Sequence, residues 1–324
     1  MTAPATGPVQ RRRVDGVLLL DKPRGLSSNA ALQRAKHLYR AGKAGHTGTL
    51  DPLATGLLPV CFGEATKFAN LLLDADKSYL ATLRLGATTT TGDAEGEIVE
   101  ERPVGISRSE LESLLPRFLG SIAQVPPRYS ALKRDGRSYY EYAREGVEID
   151  RRPRPVTIVS LELAAWRPPE AELRVRCGKG TYVRALAEDI GAALGCGAHL
   201  SALSRTGAGD FSLADAISLD ALERCAESAR DALLRPVDAL VGRLDRVDLD
   251  RVQAERLSCG QALPSSHGDG VVRVYADGSF AGVAEVRDRV LRARRMLAQP
   301  EAPGAAPVPR GRAATRLNPK HFSG

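Results

Sequence analysis

Long apolar runs and regularly spaced cysteines are both missing from this sequence. The apolar run at 17–20 is far shorter than the roughly 20 residues that cross a bilayer, and the polar start lacks the pattern of a secretory signal. The five cysteines are scattered, and no two have zinc-finger spacing. An odd number of scattered cysteines is typical of reduced, buried thiols. We therefore expect a cytoplasmic protein with no membrane association.

Nucleotide-binding loops and metal-ligand clusters are also missing. Lys179-Gly180-Thr181 resembles part of a phosphate-binding loop, but such a loop needs GxxxxGK[ST], and here the lysine precedes the glycine. The sequence has no grouping of Cys, His, Asp and Glu at the spacing of a metal site. We expect no cofactor and no metal.

The charge that is present is mainly positive. Among 324 residues, Lys and Arg number 46 and Asp and Glu 39, which gives a formal net charge of +7. A basic balance favours a polyanionic partner such as nucleic acid. Hydrophobic residues make up 43% of the chain, enough for one large domain and one small one.

Residues 125–154 combine cations with aromatic rings. Four of the eight tyrosines of the chain lie here among eight basic residues. Cations suit phosphates and rings suit exposed bases, which favours an RNA-contacting insertion, although a solvated helix-loop segment is the alternative. The residues are Arg128, Tyr129, Lys133, Arg134, Arg137, Tyr139, Tyr140, Tyr142, Arg144, Arg151, Arg152 and Arg154.

Composition divides the chain into four parts. Residues 1–13 predict a disordered basic arm, 14–245 a large domain, and 299–324 a disordered basic tail rich in Pro, Ala, Gly and Arg. Between them, residues 246–298 contain short apolar runs punctuated by glycine, which predicts a small β-rich module.

Local patterns predict both helices and strands in the large domain. Ser27 or Ser28 is placed to cap a helix that runs to about Arg40, and Thr181 a second helix. Ser107 and Glu110 form a capping-box signature. Runs that predict strands lie at 17–20, 79–85, 97–101, 156–163 and 173–177.

The stretch 45–68 holds four glycines, and the one carboxylate between them is Asp51, which directly precedes Pro52. A residue before proline is driven towards extended backbone angles, so Asp51 is expected on a loop rather than inside a helix. A single acid on a stiff loop suits a nucleophile or base that meets a substrate. An ordinary Asp-Pro turn fits the same residues.

The twelve residues Gly-His-Thr-Gly-Thr-Leu-Asp-Pro-Leu-Ala-Thr-Gly at 45–56 resemble the catalytic motif of the TruB family, the tRNA pseudouridine-55 synthases. Further blocks resemble the family in the same order, and the resemblance covers about 14–298. It implies an α+β pseudouridine synthase fold, with a mixed, largely antiparallel sheet, flanking helices and a PUA-like RNA-binding module at 246–298. These blocks are GVLLLDKP from Gly16, YSALK from Tyr129, KGTYVR from Lys179 and GCGAHL from Gly195.

The resemblance implies three catalytic residues. Asp51 matches the family's catalytic aspartate, which either attacks the sugar or removes a ribose proton. Arg184 matches its arginine partner, whose charge opposes protonation of an enclosed carboxylate. Tyr79 matches the ring that stacks on the flipped uracil and takes part in proton transfer at carbon.

Four more residues are implied as contacts with substrate or RNA. Tyr182 and Leu203 match residues that line the uracil pocket. His46 matches a histidine that contacts the RNA and aids base flipping. Lys22, with Pro23, matches a block that supports the Tyr79 ring. No cofactor is implied.

Three functions fit the family resemblance. The first is a synthase that acts on uridine 55 in the TΨC arm of tRNA, as a monomer with no obligate protein partner. The second is a guide-dependent pseudouridine synthase of the dyskerin type, but residues 129–146 resemble the stand-alone enzymes instead. The third is a non-catalytic RNA-binding or RNA-folding protein, against which the intact set Asp51, Tyr79 and Arg184 argues.

Overall fold

The computed structural model describes residues 10–130 and 132–298. The predicted tail at 299–324 and the first nine residues of the predicted arm lie outside the described residues. The end of that arm is held in place, unlike the disorder expected for it. The backbone N–H of Arg12 donates to the Arg40 carbonyl at 2.9 Å, and its guanidinium pairs with Asp231 at 2.5 Å.

The described residues form nineteen strands and seven α-helices. The strands are β1 Gly16–Lys22, β2 Ala44–His46, β3 Thr55–Phe62, β4 Lys77–Leu85, β5 Ala87–Thr89, β6 Ile98–Glu101, β7 Gly120–Gln124, β8 Lys133–Arg134, β9 Arg137–Ser138, β10 Arg154–Arg167, β11 Glu170–Cys177, β12 Ala198–Ala208, β13 Phe211–Ser212, β14 Ile217–Ser218, β15 Asp245–Leu249, β16 Leu263–Pro264, β17 Gly270–Ala276, β18 Ser279–Arg287 and β19 Val290–Met296. The helices are α1 Ser28–Leu38, α2 Ala69–Leu73, α3 Arg108–Leu114, α4 Tyr139–Arg144, α5 Val183–Ala193, α6 Leu219–Arg224 and α7 Arg251–Ser258.

One large sheet carries most of the chain. Its order is β14-β1-β3-β12-β4-β11-β10-β7, with β2 paired to β3 and β13 to β12. Only the pairs β1–β14 and β3–β12 of this sheet are parallel. The predicted mixed, largely antiparallel sheet with flanking helices is therefore confirmed, and β12 and β4, which are distant in sequence, become neighbours at its centre.

Helix α5 packs closely against the centre of this sheet. Its buried face includes Leu186 and Ile190, which join the core cluster that Leu83 and Leu173 enter from the strands. A Cβ at Gly191 would lie 2.1 Å from the backbone nitrogen of Ala198, so only glycine permits this approach of α5 to β12. The close packing fixes the beginning of α5 relative to the sheet.

The helix starts agree with the sequence in all but one case. Ser27 caps α1, and the capping box between Ser107 and Glu110 is present at α3. At α5, however, the N-cap residue is Tyr182, and the Thr181 hydroxyl instead donates to the Gly178 carbonyl at 3.0 Å. The prediction that Thr181 caps this helix was wrong because the turn that precedes the helix uses that hydroxyl.

Strands β15–β19 form a second, five-stranded sheet, which confirms the predicted β-rich module. Its Phe280 ring meets Phe68 of the large domain edge-on, with 5.3 Å between centroids. Val283 joins the same buried cluster as Leu72 of α2. The module is thus packed on the segment that leads into α2.

Three cysteines, Cys61, Cys177 and Cys196, are buried as expected, and all five are free thiols. Cys259 is exposed and Cys225 is intermediate, so the expected burial was wrong for these two. Neither lies in a core-facing strand. Among the described residues, no helix is long and apolar enough to span a membrane.

Candidate active site

A cleft of about 290 Å³ opens beside the Asp51 loop. Five of the seven predicted site residues line it: Asp51, Tyr79, Tyr182, Arg184 and Leu203. The remainder of its wall comes from residues 48–50, Leu73, Lys77, Ser130, residues 178–181, Val183 and Arg205. Lys22 and His46 lie outside this lining.

Asp51 and Arg184 form an ion pair at the floor of the cleft. Arg184 Nε lies 2.9 Å from Asp51 Oδ2 and 3.6 Å from Asp93 Oδ2. The Arg184 and Asp93 side chains are 5% and 4% exposed, whereas Asp51 is 41% exposed. The arginine is therefore a buried support, and the carboxylate of Asp51 is the partner that faces the opening.

The rest of the Arg184 guanidinium is fixed by two backbone carbonyls. Nη1 donates to Thr91 at 3.1 Å and Nη2 to Tyr129 at 2.7 Å. Each of the three nitrogens of the planar guanidinium thus has a partner, which restricts its rotation. Because Tyr129 lies in the basic insertion at 125–154, the insertion is hydrogen-bonded directly to the partner of Asp51.

Gln124, the last residue of β7, anchors the start of α5 through two hydrogen bonds. Its side-chain nitrogen donates to the Tyr182 carbonyl at 3.1 Å, and its oxygen accepts from the Tyr182 N–H at 2.8 Å. Gln124 is 1% exposed. This two-point contact holds Tyr182 against the cleft, and it holds Arg184 at the second position of the helix.

Glycines at both ends give the Asp51 loop its shape. Gly48 and Gly56 have φ values of +93° and +97°, a region that favours glycine. A Cβ at Gly56 would also lie 2.4 Å from the Arg205 carbonyl oxygen. Between them, the Ser28 hydroxyl accepts from the Leu50 N–H at 2.7 Å. The loop is therefore rigid immediately before Asp51.

The pKa of Asp51 is raised above its ordinary value. Burial is the main cause and the Asp93 charge adds to it, while Arg184 and, to a smaller degree, Lys22 oppose the shift. A carboxylate with a raised pKa is a stronger base and nucleophile than an exposed one.

Lys22 is fully buried, and its positive charge acts to lower the pKa of Asp51. Its ammonium donates to the carbonyls of Pro23 at 2.9 Å and Leu26 at 2.6 Å. Burial lowers the pKa of Lys22 to about 8, and the nearby Asp51 opposes that shift. Lys22 does not line the cleft, and the predicted substrate or RNA contact remains a prediction.

Tyr79 lies at the centre of the sheet. It is on β4, directly opposite Arg205 of β12 and Val175 of β11. Leu203 packs against the same core cluster, and both residues line the cleft. A phenol ring and an aliphatic wall beside a carboxylate are suited to hold a planar base.

His46 stands at the end of β2, opposite Val60 of β3. Its ring is half-buried, and Nδ1 has no hydrogen-bond partner among the described residues. Burial lowers the pKa of His46, and the Arg205 charge adds to this effect. A neutral imidazole next to the loop fits the predicted RNA contact, which remains a prediction.

Sequence reasoning missed Asp93, Gln124, Lys77 and Arg205. Lys77 is buried and donates to the carbonyls of Leu72, Leu73 and Ala75, which closes the end of α2 at the cleft wall. Asp93 lies in a turn rich in Thr and Gly, where an aspartate is unremarkable. Only the tertiary fold brings these polar groups to one place.

The acid side of the pH profile offers a test of this arrangement. The charged groups that face Asp51 are Arg184, Asp93, Glu95 and Lys22. If ionised Asp51 is required, activity should fall with decreasing pH through a value above the ordinary 3.8. Asp93→Asn removes a like charge, so the fall should move to lower pH. Single-turnover rates measured across pH in both proteins check this; an unmoved acid limb would show that Asp51 does not set it.

Three family models match consecutive parts of the chain. They are described as TruB family pseudouridylate synthase (N terminal domain) at 36–183, tRNA pseudouridylate synthase B C-terminal domain at 184–242, and Pseudouridine synthase II TruB, C-terminal, at 246–297. The last match coincides with the β15–β19 module and is consistent with the PUA-like prediction.

Curated relatives named tRNA pseudouridine synthase B align over almost their whole length. The protein from Azoarcus sp. (strain BH72) is 56% identical over 291 residues, which cover 90% of this chain and 97% of that one. The protein from Burkholderia lata is 57% identical over 296 residues, covering 89% and 92% respectively.

Solved structures support the same fold. The chain matches one in a Cbf5-Nop10-Gar1 complex with a TM-score of 0.66 and 26% identity, over 88% of this chain and 84% of that one. A chain of an archaeal box H/ACA sRNP Nop10-Cbf5 complex matches in fold, with a TM-score of 0.67 and 22% identity over 91% and 92%. With three consecutive family models and relatives above 50% identity over most of its length, this chain belongs to the TruB family of pseudouridine synthases.

Proposed function

We propose that this chain converts uridine 55 in the TΨC arm of tRNA to pseudouridine. The observation that carries the proposal is the Asp51–Arg184 ion pair, whose atoms lie 2.9 Å apart in a cleft of about 290 Å³. The TruB-family membership and the name tRNA pseudouridine synthase B of the relatives supply the reaction and the substrate class.

The reaction rearranges bonds without a net change in composition. The C1′–N1 bond breaks and its electron pair leaves with uracil; the base turns, and C5 bonds to C1′ while C5 loses a proton and N1 gains one. No oxidant, reductant or group donor enters. Asp51 is assigned either attack on C1′ or removal of a ribose proton, and both routes need its ionised oxygen.

Arg184 is assigned two roles: it stabilises the ionised form of Asp51, and it orients the Asp51 carboxylate towards the substrate. Its guanidinium opposes the effect of burial on the Asp51 pKa. Its hydrogen bonds to two backbone carbonyls hold the guanidinium in place while substrate binds. Tyr79 is assigned to stack on the flipped uracil, with Tyr182 and Leu203 as the other walls. Flipping a base costs a few kcal/mol of unstacking, which these contacts offset.

The insertion at 125–154 is proposed as an RNA contact. Its arginines and tyrosines pair with one another: the Arg137 guanidinium lies 4.8 Å from the Tyr142 ring centroid and that of Arg144 lies 5.3 Å from Tyr140. Such exposed pairs are weak, so phosphates and bases can replace them on binding. His46 is proposed as a further contact beside the loop.

Partner and location follow from the same proposal. We assign tRNA as the substrate and the cytoplasm as the location, and we expect the chain to act as a monomer without a guide RNA or an obligate protein partner. Among the described residues, no cluster of His, Cys, Asp and Glu is suited to hold a metal ion. Full turnover in the presence of a chelator, with the tRNA kept folded, is the matching test.

A guide-dependent synthase is the second candidate, because the chain matches a chain of a Cbf5-Nop10-Gar1 complex. The relatives above 50% identity carry the tRNA name instead. The two are separated by offering an unmodified tRNA transcript to the pure protein with no other RNA. Pseudouridine at position 55 supports the first candidate, and a strict need for added guide RNA supports the second.

The small C-terminal module offers a prediction about binding. Its β18–β19 hairpin exposes five arginines: Arg287, Arg289, Arg292, Arg294 and Arg295. Replacing Arg287, Arg289 and Arg292 by glutamine should weaken tRNA binding and flatten its salt dependence, by about 0.7–0.9 in slope for each phosphate that is no longer neutralised. The single-turnover rate at saturating protein should stay the same, because this hairpin lies outside the cleft.

The control for that prediction neutralises three exposed arginines elsewhere, Arg108, Arg117 and Arg224. Both triple variants lower the net charge equally, so equal losses of affinity would show a general charge effect and contradict a binding hairpin. Point changes are preferable to deleting residues 246–324, because deletion would expose Phe68 and the apolar cluster that Phe280 and Val283 cover.

A further inference from the structure

Arg205 is a buried cation to which the mechanism above assigns no role. It lies on β12, lines the cleft and is 1% exposed. Within the part of the chain that the structure describes, no carboxylate is its ion-pair partner. Its charge acts on Tyr79 and on three basic groups, those of His46, Lys22 and Lys77. Keeping a charge buried without a counter-ion is costly, so an arginine retained here indicates a use.

Backbone carbonyls from both ends of the Asp51 loop fix this guanidinium. Nε donates to the Leu57 carbonyl at 2.7 Å, and Nη2 donates to the Gly48 carbonyl at 3.2 Å. Arg205 is also paired through its backbone with Gly56 of β3. These contacts fix the orientation of the Arg205 side chain, which lies between the Asp51 loop and β4.

The guanidinium also lies beside the Tyr79 side chain, because residues directly opposite each other on antiparallel strands point to the same face of the sheet. Tyr79 and Arg205 are direct partners in the β4–β12 register. Burial raises the pKa of Tyr79 and Arg205 opposes that rise; the other groups that act on the phenol are Cys177 of β11 and Asp51 of the loop. A guanidinium beside the phenol favours its ionised form.

We propose that Arg205 is the positioning residue for Tyr79: it holds the phenol oxygen towards C5 of the bound uracil and stabilises the phenolate that removes the C5 proton. The inference rests on the proposed function. In the step, C5 is already bonded to C1′ and carries its hydrogen. The phenolate takes that proton, the C5–H electron pair forms the C5=C6 double bond, and N1, freed from its double bond to C6, takes a proton from solvent.

A bracing role is the competing explanation for the same contacts. If Arg205 served only to tie Gly48 and Leu57 together, its loss would displace Asp51 and slow the cleavage of the C1′–N1 bond. The Tyr79 step would then be unaffected. The two roles therefore differ in which bond change becomes slow.

The test uses tRNA with deuterium at C5 of uridine 55 and compares Arg205→Met with the parent in single-turnover reactions. Arg205→Met keeps the length of the side chain and removes the charge and the donors. We expect a loss of about 10²-fold or more, the scale of proton-transfer catalysis, and a deuterium isotope effect larger than in the parent. A slow variant with the parental isotope effect would overturn the proposal. Absence of pseudouridine with the parent itself would instead contradict the proposed function.

A double-mutant cycle covers the case in which Arg205→Met does not fold. Arg205→Lys retains the buried charge and is measured alone and together with Tyr79→Phe. If Arg205 acts through the phenol, Arg205→Lys should cost many-fold in the parent and little in the Tyr79→Phe protein. Equal losses in both backgrounds would show that the arginine acts through the loop, and would overturn the proposal.

Discussion

Replacing Asp51 by asparagine should abolish pseudouridine formation, with a loss of roughly 10⁴-fold or more, as expected when a reacting carboxylate is removed. Asparagine keeps the size of the side chain but provides no ionised oxygen, so neither attack on C1′ nor removal of a ribose proton remains. Single-turnover pseudouridine formation with excess protein measures the loss directly.

The affinity of Asp51→Asn for tRNA should remain within several-fold of the parent. Binding comes mainly from distributed contacts between basic side chains and phosphates, and Asp51 is a single group in the cleft. Filter binding at matched salt is the control. A proportional loss of binding and rate would mean that Asp51 serves recognition rather than chemistry.

The stability of Asp51→Asn should equal or slightly exceed that of the parent at neutral pH. The folded-state pKa of Asp51 lies above its ordinary value of 3.8. Between those two pH values the folded protein binds more protons at this group than the unfolded chain does, so its contribution to the free energy of unfolding falls as pH rises through that window. Asparagine removes this penalty. A clearly lower melting temperature would mean that Asp51 is a structural residue.

Replacing Arg184 by lysine should cost roughly 10²–10³-fold in rate, although the charge is kept, as for the loss of a preorganised electrostatic contact. Lysine presents one ammonium where arginine presents a planar fork. It cannot meet Asp51 and both carbonyls, those of Thr91 and Tyr129, at once. The Asp51 carboxylate would then be held less firmly in its orientation, and a smaller fraction of it would be ionised.

The measurement for Arg184→Lys is the single-turnover rate together with a thermal melt. Arg176→Lys is a matched control, because Arg176 also pairs with an aspartate, Asp76, but at 50% exposure on the surface. That control should keep its activity, since exposed pairs contribute little. Full activity of Arg184→Lys would reduce Arg184 to a general electrostatic contact.

The sequence predicted those parts of the site that lie in contiguous motifs. Asp51 and Arg184 each stand in a block that resembles the family, Tyr79 was assigned from the same resemblance, and all three line one cleft. Asp93 and Arg205 were missed because their roles depend on the order of strands. Arg205 becomes buried only because β12 lies between β3 and β4, which no local pattern encodes.

Local energetics explain the smaller differences as well. Thr181 has the side chain of a helix cap, but its hydroxyl closes the preceding turn at Gly178, and the helix begins after Tyr182. The double hydrogen bond from Gln124 to Tyr182 does the anchoring instead. A partner this distant in sequence is visible only once β7 and α5 are packed together.

The central claim is tested most directly by mapping pseudouridine in an unmodified tRNA transcript after incubation with the pure, full-length protein. The account predicts pseudouridine at position 55, formed without guide RNA or cofactor by the parent and absent with Asp51→Asn. Modification at a different uridine, or equal modification by Asp51→Asn, would contradict it.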